Sequence, residues 1–259
     1  MQRSRWLWRA IAAVSVSFTL LFVAGFAYAV KTVVAPHGLI RPVADAREEA
    51  PFEGENSLEI VALGDSLTFG YGDSTGQGYV GRLRALLEEQ ADVPAHVVGN
   101  FAVNGYTTEQ VTADLKDREG IAEALRRADI VLMTAGGNDL VRLGDEIDVE
   151  AFEENIPETQ AHIREILATI RDITPKAHIY YIGLYNPFIE YAEIEGTSLA
   201  VQAWNAAVFE ALTPLPNATF VPTFDLFQHG GGRFLSSDRY HPNDEGYARI
   251  AERLAQLMK

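Results

Sequence analysis

From Leu58 onward, short apolar runs alternate with amphipathic stretches, and this alternation constrains the fold more than any other feature of the sequence. The apolar runs predict five strands, at 60–63, 96–101, 130–133, 179–184 and 219–221. Apolar residues at helical spacing predict helices over 79–87, 111–125, 152–170, 201–212 and 247–257. Strands that alternate with helices imply right-handed crossovers and a parallel sheet that is covered on both faces.

This arrangement also predicts where a ligand would bind. In an open parallel sheet the binding crevice lies beyond the carboxyl ends of the strands. Ser66 follows the first predicted strand, Gly105 the second and Asn138 the third, while Asp238 and His241 come after the fifth. We therefore expect these five residues to lie at one edge of the sheet.

Ser66 stands in the segment Gly64-Asp65-Ser66-Leu67, between a predicted buried strand and the glycine-rich stretch 68–72. A rigid strand behind and an open turn in front is the setting that a nucleophilic serine needs. Short clusters of Gly, Asp and Ser are more often plain turns, so this segment alone is weak evidence for catalysis.

Two further segments offer hydrogen-bond donors to a developing oxyanion. Gly105 can turn its backbone N–H toward such a charge, and the side-chain amide of Asn138 can donate to it. Taken separately, Gly105 would be an ordinary turn glycine and Asn138 an Asx-turn residue. We expect the neighbouring Asp139 to fix its loop rather than to act as a catalytic acid.

Asp238 and His241 lie three residues apart, just before the last predicted helix, which Asn243 or Asp244 can cap. Across such a turn the carboxylate can reach the imidazole Nδ1–H and leave Nε2 free to take a proton from a serine. The other five histidines lack an acid at this spacing and are interpreted as structural, with His229 kept as a reserve base. They are His37, His96, His162, His178 and His229.

Together these four segments resemble the GDSL, or SGNH, hydrolase family, whose second name lists the residues matched here by Ser66, Gly105, Asn138 and His241. The resemblance runs from Leu58 to the C-terminus. It implies a flavodoxin-like three-layer α/β/α sandwich with a five-stranded parallel sheet in the order 2-1-3-4-5. It also implies a serine esterase or lipase that needs neither a metal nor an organic cofactor.

The resemblance assigns roles to these positions. Ser66 would be the nucleophile, His241 the base and Asp238 the acid that orients it. The Ser66 N–H, the Gly105 N–H and the Asn138 amide would form the oxyanion hole. The expected substrate is a small-molecule or lipid ester, as in bacterial lysophospholipase-like or acylesterase members of the family. Two alternatives stay open: acyl transfer or deacetylation on envelope glycans, and a non-catalytic lipid- or glycan-binding module.

Residues that could form the substrate pocket lie in loops after the strands. Aromatic residues are frequent in 185–191, and Phe224, Leu226, Phe227 and Phe234 surround the last loop. Residues 140–143 are another candidate wall. Apolar loop residues of this kind either line a pocket or pack the core, and the sequence favours neither.

The first 30 residues predict a membrane segment. Arg3, Arg5 and Arg9 precede an uncharged stretch over 10–30, which is 21 residues long. A bilayer span takes about 20 apolar residues and a secretory signal core about 7–15, so the length favours an uncleaved transmembrane anchor. The arginines place the N-terminus in the cytoplasm and the body outside the membrane.

The alternative is a signal peptide cleaved after Ala27-Tyr28-Ala29, which would release the body as a secreted protein. Residues 31–56 are rich in proline and glutamate and predict a linker, which leaves 57–259 as the hydrolase domain. Outside residues 1–30, which contain three arginines and no acid, the chain has 18 basic and 36 acidic residues. Such a body repels nucleic acid, so we expect no nucleic-acid partner.

Overall fold

The computed structural model describes residues 57–91, 94–141, 147–189 and 194–258, together with a few exposed helical residues near the N-terminus. The latter are Ser15, Phe18, Thr19, Leu21, Phe22, Val23, Gly25 and Phe26. The chain divides into two units, Met1–Gly54 and Glu55–Lys259. None of the helices among the described residues has both the length and the apolar character that crossing a bilayer requires. Much of the predicted span over 10–30, and all of the predicted linker over 31–56, lies outside the described residues.

Five strands form one parallel sheet. Their bounds are β1 Leu58–Gly64, β2 Ala95–Asn100, β3 Ile130–Thr134, β4 His178–Ile182 and β5 Ala218–Val221. The strand order is β2-β1-β3-β4-β5, and each neighbouring pair is parallel. The predicted five-stranded parallel sheet and its order are therefore confirmed.

Helices and short helical turns connect the strands. Their bounds are α1 Ser66–Phe69, α2 Gly78–Ala91, α3 Thr108–Asp117, α4 Glu119–Arg127, α5 Gly137–Leu140, α6 Val149–Ile173, α7 Thr197–Leu212, α8 Phe224–Phe227, α9 Gly231–Phe234 and α10 Asp244–Leu257. The four-residue helices α1 and α5 are separated from the ends of β1 and β3 by one and two residues, and there they place the candidate residues Ser66 and Asn138.

Successive side chains of each strand point to opposite faces of the sheet, and this alternation builds two cores. Val61 and Leu63 of β1 belong to a core that includes residues of α3, α4, α6 and α7. Ile60 and Ala62 belong to the other core, which includes residues of α2 and α10. The sheet is thus the middle layer of a three-layer α/β/α sandwich, and its three central strands β1, β3 and β4 are mostly apolar and buried because both of their faces are covered.

The single helix predicted over 111–125 is wrong, because the structure breaks it into α3 and α4 at Arg118. Arg118 has an extended backbone with φ −100° and ψ 94° and caps both helices. Residues on a continuous helix advance by about 100° each, so Ile121 would point well away from the face of Val111 and Leu115. The break lets Ile121 join the same buried core as those two residues.

Gly64 brings the end of β1 into close contact with β3. Its φ is +127°, and a Cβ atom at this position would lie 1.8 Å from the carbonyl oxygen of Thr134. Only glycine fits both the backbone conformation and the space. The chain can therefore turn into α1 immediately after the strand, at the carboxyl edge of the sheet.

Candidate active site

Ser66 is the first residue of α1, and its position is fixed by the residue before it. The side chain of Asp65 caps this one-turn helix by accepting a hydrogen bond from the Leu67 N–H at 3.0 Å. Gly70 ends the helix in a left-handed conformation with φ +87°. Ser66 is buried, yet its side chain borders a cavity described below.

Ser66, His241 and Asp238 form a continuous chain of hydrogen bonds. The Ser66 Oγ lies 2.8 Å from His241 Nε2, and His241 Nδ1 lies 2.7 Å from Asp238 Oδ2. Because an ionised carboxylate only accepts hydrogen bonds, Nδ1 carries the proton and Nε2 is left to accept from the serine. The structure thus brings together the three residues that the sequence predicts as a triad.

Asp238 is held by more than its histidine. Its Oδ1 accepts hydrogen bonds from the Ser236 hydroxyl at 2.7 Å and from the backbone N–H groups of Tyr240 and His241 at 2.9 and 3.0 Å. Burial alone would raise the pKa of Asp238, but the hydrogen bonds from His241, Ser236 and the backbone outweigh it and lower the pKa to about 2. The carboxylate therefore stays ionised at neutral pH.

The turn that carries Asp238 and His241 is closed by backbone hydrogen bonds. The Ser236 N–H donates to the His241 carbonyl at 2.7 Å, and Leu235 pairs with Pro242 in an antiparallel bridge. Asn243 then caps α10 by accepting from two backbone N–H groups at 3.0 Å. The cap predicted at Asn243 or Asp244 is thus provided by Asn243, which joins the turn directly to a long helix.

A buried polar network that the sequence pattern did not predict lies beneath Ser66. Asp65 accepts a hydrogen bond from the Thr134 hydroxyl at 2.7 Å, and Thr134 in turn contacts the Thr68 hydroxyl at 2.9 Å. Burial raises the pKa of Asp65, while the hydrogen bonds from Thr134 and Leu67 oppose the rise. Thr134 ends a strand 69 residues away from Asp65, so only the parallel pairing of β1 with β3 reveals this contact.

The proposed oxyanion donors lie in the segments that follow β1, β2 and β3. Within the described part of the chain, the backbone N–H groups of Ser66 and Gly105 donate to no protein acceptor. Gly105 has φ +82° and is exposed, so its conformation rather than its packing calls for glycine. The Asn138 amide donates one hydrogen bond to the Tyr106 carbonyl at 2.8 Å, which fixes its orientation and leaves its second N–H available.

An apolar cavity of about 40 Å³ borders Ser66 and Asn138. Part of its wall comes from the predicted segments 185–191 and 140–143, through Tyr185, Pro187, Phe188 and Val141. The helices α6 and α7 contribute Phe152 and Val201, which the sequence analysis assigned only to helix faces. The other predicted candidates pack elsewhere: Leu226, Phe227 and Phe234 belong to the core beside α10, and Phe224 packs against the opposite core.

Two tyrosine rings hold the imidazole of His241 in place. The ring centroids of Tyr71 and Tyr240 lie 4.7 and 5.0 Å from that of His241. The Tyr240 carbonyl accepts a hydrogen bond from the Tyr185 hydroxyl at 2.5 Å, and the Tyr71 carbonyl accepts from the Tyr247 hydroxyl at 2.7 Å. Tyr240 directly precedes His241 in the sequence, so its contact with the imidazole could have been predicted. Tyr71 is far from His241 in the sequence, so its contact could not.

Among the described residues, His241 is the histidine that contacts Ser66. His162 lies 3.1 Å from the Thr108 hydroxyl, and His178 lies 2.8 Å from the Thr219 hydroxyl and stacks on Tyr180. His229, the reserve base of the sequence analysis, is exposed, while His37 lies outside the described residues. These contacts fit the structural interpretation of His162 and His178.

Asp139 fixes its loop, as predicted from the sequence. It accepts hydrogen bonds from the Thr108 hydroxyl at 2.5 Å and from the Thr108 N–H, and so joins the start of α5 to the start of α3. Among the described residues no group of three or more histidine, aspartate or glutamate side chains is arranged to hold a metal ion. The expectation that the reaction needs no cofactor stays a prediction.

Comparison with known proteins places this chain in a family. The family model described as GDSL-like Lipase/Acylhydrolase matches residues 62–249. The chain is 31% identical over 228 residues to YpmR of Bacillus subtilis, a match that covers 85% of this chain and 89% of that protein. It is 30% identical over 207 residues to the spore germination lipase LipC of Bacillus licheniformis, covering 76% of this chain and 95% of that protein.

A solved structure agrees with these matches. The crystal structure of the lipase Lip_vut3 from a goat rumen metagenome superimposes with a TM-score of 0.68 at 29% identity, covering 77% of this chain and 96% of that one. The fold, the family model and the curated relatives therefore lead to one assignment. The chain belongs to the GDSL-like lipase/acylhydrolase family and is a carboxylic ester hydrolase.

Proposed function

We propose that this enzyme hydrolyses short-chain acyl esters through a Ser66–His241–Asp238 triad and a covalent acyl-enzyme. The observation that supports this most strongly is the unbroken hydrogen-bond chain from Ser66 Oγ through the imidazole to Asp238. Nothing in that chain needs to move before the serine proton can transfer to Nε2, because the three side chains are already in contact.

In the proposed first step, Ser66 Oγ attacks the ester carbonyl carbon while its proton passes to His241 Nε2. The Ser66 N–H, the Gly105 N–H and the Asn138 amide stabilise the negative charge on the carbonyl oxygen. The ionised Asp238 stabilises the imidazolium that forms. His241 then gives its proton to the leaving alcohol, and the acyl group remains on Ser66.

In the second step, water takes the place of the alcohol. His241 Nε2 accepts a proton from the water as it attacks the acyl carbon, and the bond to Ser66 Oγ breaks as that oxygen regains the proton. The products are a carboxylic acid and the free enzyme.

The size of the inner cavity supports a short acyl group. A volume of about 40 Å³ has room for about three water molecules. Its walls are mainly apolar, which suits the hydrocarbon part of an acetyl to butyryl group. A long acyl chain would have to displace wall residues such as Phe188 or leave most of its length outside the cavity.

Hydrolysis of p-nitrophenyl esters by the full-length protein tests this proposal. We expect the acetyl and butyryl esters to have a higher kcat/KM than the palmitoyl ester, and Ser66→Ala to abolish turnover of all three. Ser237→Ala is the matched control, because Ser237 is an exposed serine of the turn that carries Asp238. Turnover that survives Ser66→Ala would reject the site, and product release that rises with an added glycan acceptor would indicate acyl transfer instead.

We further propose that residues 1–30 anchor the hydrolase domain at the outer face of the cell membrane. The proposal rests on the three arginines and the 21-residue uncharged stretch of the sequence. An anchored protein would stay in the membrane fraction at full mass and would be digested by protease added to intact cells. A protein that starts after Ala29 in the medium would support secretion, and protection from the protease would reject both.

A further inference from the structure

A second crevice opens beside the catalytic histidine. It has a volume of about 350 Å³, and His241, Asp238 and Tyr71 are among the residues that line it. Phe188 and Tyr240 line both this outer crevice and the inner apolar cavity, so the two spaces adjoin. With the acyl group in the inner cavity, the alcohol part of the ester would lie in the outer crevice, next to the imidazole that must protonate it.

Arg239 supplies the one cationic side chain among the described residues that line either space. The crevice on the far side of Asn138 has the opposite character, since its wall includes four acids and no lysine or arginine. These are Glu109, Asp139, Asp148 and Glu158. In a chain with a net charge of −15, Arg239 offsets the ionised Asp238 in the same wall, so the outer crevice lacks the excess negative charge of its surroundings.

The charge of Arg239 is free to meet a ligand. Both oxygens of the adjacent Asp238 already accept hydrogen bonds from other groups. Most described arginines contact a carboxylate, a carbonyl or an aromatic ring, as Arg82, Arg171 and Arg249 do. Within the described part of the chain, the Arg239 side chain forms no ion pair or hydrogen bond.

The backbone at Arg239 is unusual for this residue type. Its φ is +54°, and the other described non-glycine residue with a positive φ is Asn217, at +52°. Asparagine is common in the left-handed region, whereas a long side chain there is held against a steric cost. Strain of this kind concentrates at functional sites, where the surrounding structure imposes it. Here the closed turn from Ser236 to His241 imposes it, and Arg239 donates its own N–H to the Ser236 carbonyl at 3.0 Å.

We propose that Arg239 is a specificity-determining residue that binds an anionic group, a phosphate or a carboxylate, on the alcohol part of the ester. This inference rests on the proposed function, because it assumes that an ester occupies both spaces. The planar guanidinium can donate two parallel hydrogen bonds to either anion. Its position in the outer crevice assigns the anion to the leaving alcohol rather than to the acyl group.

Matched esters with a single acyl group test the inference. We would compare butyryl esters of glycerol, glycerol 3-phosphate and glycerate, which differ in the charge of the alcohol, and measure kcat/KM for the full-length enzyme. Arg239→Asn removes the charge and keeps a residue suited to a positive φ. We expect it to lower the ratio of kcat/KM for the anionic ester to that for the neutral ester by about tenfold, as loss of a partly exposed charge-assisted hydrogen bond predicts.

Arg164→Gln provides the control for net charge. Arg164 is exposed on α6, forms no ion pair among the described residues, and lines none of the described cavities that border the triad. Arg164→Gln changes the charge of the protein by the same amount as Arg239→Asn, so its ratio of kcat/KM for the anionic ester to that for the neutral ester should stay within twofold of the wild-type ratio. Arg239→Lys should retain part of the preference, and raising the ionic strength should weaken it. The phosphate and carboxylate esters show separately which anion is preferred.

The ratio of the two kcat/KM values is insensitive to general damage to the catalytic turn, since such damage lowers both values together. A ratio unchanged by Arg239→Asn, or lowered equally by Arg164→Gln, would overturn the inference. Calorimetric binding of glycerol 3-phosphate gives a readout independent of turnover, and we expect Arg239→Asn to weaken it about tenfold. If glycerol 3-phosphate binds in a way that depends on Arg239 but no ester is hydrolysed, the proposed hydrolysis alone is rejected. If esters are hydrolysed with no preference for the anionic ester over the neutral one, the role of Arg239 alone is rejected.

Discussion

Replacing Asp238 with asparagine changes one atom of the site and should remove most of its activity. The carbonyl oxygen of an asparagine can keep the hydrogen bonds that Asp238 Oδ1 accepts from Ser236, Tyr240 and His241. Its NH₂ group would then face His241 Nδ1, which lies 2.7 Å from Oδ2 in the wild type. Since an NH₂ group donates, the imidazole must accept at Nδ1 and carry its proton on Nε2.

That tautomer cannot act as a base toward Ser66. Nε2 would present a proton to the serine oxygen across the present distance of 2.8 Å. A change of this kind lowers kcat by about 10⁴ in a well-buried triad. The Asp238 side chain is 35% exposed, so water can partly replace the lost acceptor, and we expect a loss of about 10³–10⁴ in kcat with a small change in KM.

The assay is steady-state hydrolysis of p-nitrophenyl butyrate between pH 6 and pH 9, with circular dichroism to show that the variant is folded. Ser236→Ala is the matched control, because it removes one donor to the same carboxylate and leaves the charge in place. We expect it to cost about fivefold, which corresponds to about 1 kcal/mol for one hydrogen bond. An Asp238→Asn enzyme within tenfold of wild type would refute the assignment of Asp238 as the acid that orients His241.

Three further predictions follow from named contacts. Asn138→Ala should lower kcat by about 10²–10³ with little effect on KM, and stopped-flow or steady-state kinetics that show a change in KM alone would contradict its role as an oxyanion donor. Gly64→Ala places a Cβ atom 1.8 Å from the Thr134 carbonyl oxygen at φ +127° and should destabilise the fold by about 3 kcal/mol in urea unfolding, whereas a loss under 1 kcal/mol would contradict the steric argument. The pKa of Asp238 is lowered to about 2 in the folded protein and is near 3.9 in an unfolded chain, so this group stabilises the fold above about pH 4 and the contribution is lost as the pH falls through 2. The contribution is about 1 kcal/mol after screening of a side chain that is 35% exposed. In acid unfolding, the stability of the wild type relative to Asp238→Asn should therefore fall as the pH is lowered from about 4 to about 2, and a relative stability that rises over this range would contradict the prediction.

The architecture could be predicted from sequence because its signals are local. The central strands are short apolar runs that are buried on both faces, and each main helix carries an apolar stripe, so their alternation implies the parallel sheet. The break at Arg118 was not predictable in the same way. Ala122 and Leu125 fit one continuous helical face with Val111 and Leu115, and only the burial of Ile121 in the folded core shows that the face is rebuilt after a break.

Parts of the candidate site could also be predicted from sequence, and other parts could not. Asp238 and His241 lie three residues apart within a single turn, and Ser66, Gly105 and Asn138 each follow a strand, so their meeting follows from the sheet. Contacts between distant segments carry no such signal. Thr134 beneath Asp65, Tyr71 against His241, and Phe152 in the cavity wall depend on how strands and helices pack. The positive φ of Arg239 also escapes sequence reasoning, because nothing in its residue type predicts that conformation.

The most direct test of the account is to trap the acyl-enzyme analogue on Ser66. A fluorophosphonate reacts with a serine that is activated by a histidine, and intact-mass analysis followed by peptide mapping locates the adduct. We expect one adduct per chain on the peptide that contains Ser66, with no adduct in Ser66→Ala and much slower labelling in Asp238→Asn. Labelling at another residue, or equal labelling of Ser66→Ala, would contradict the claim that Ser66, His241 and Asp238 form the catalytic triad.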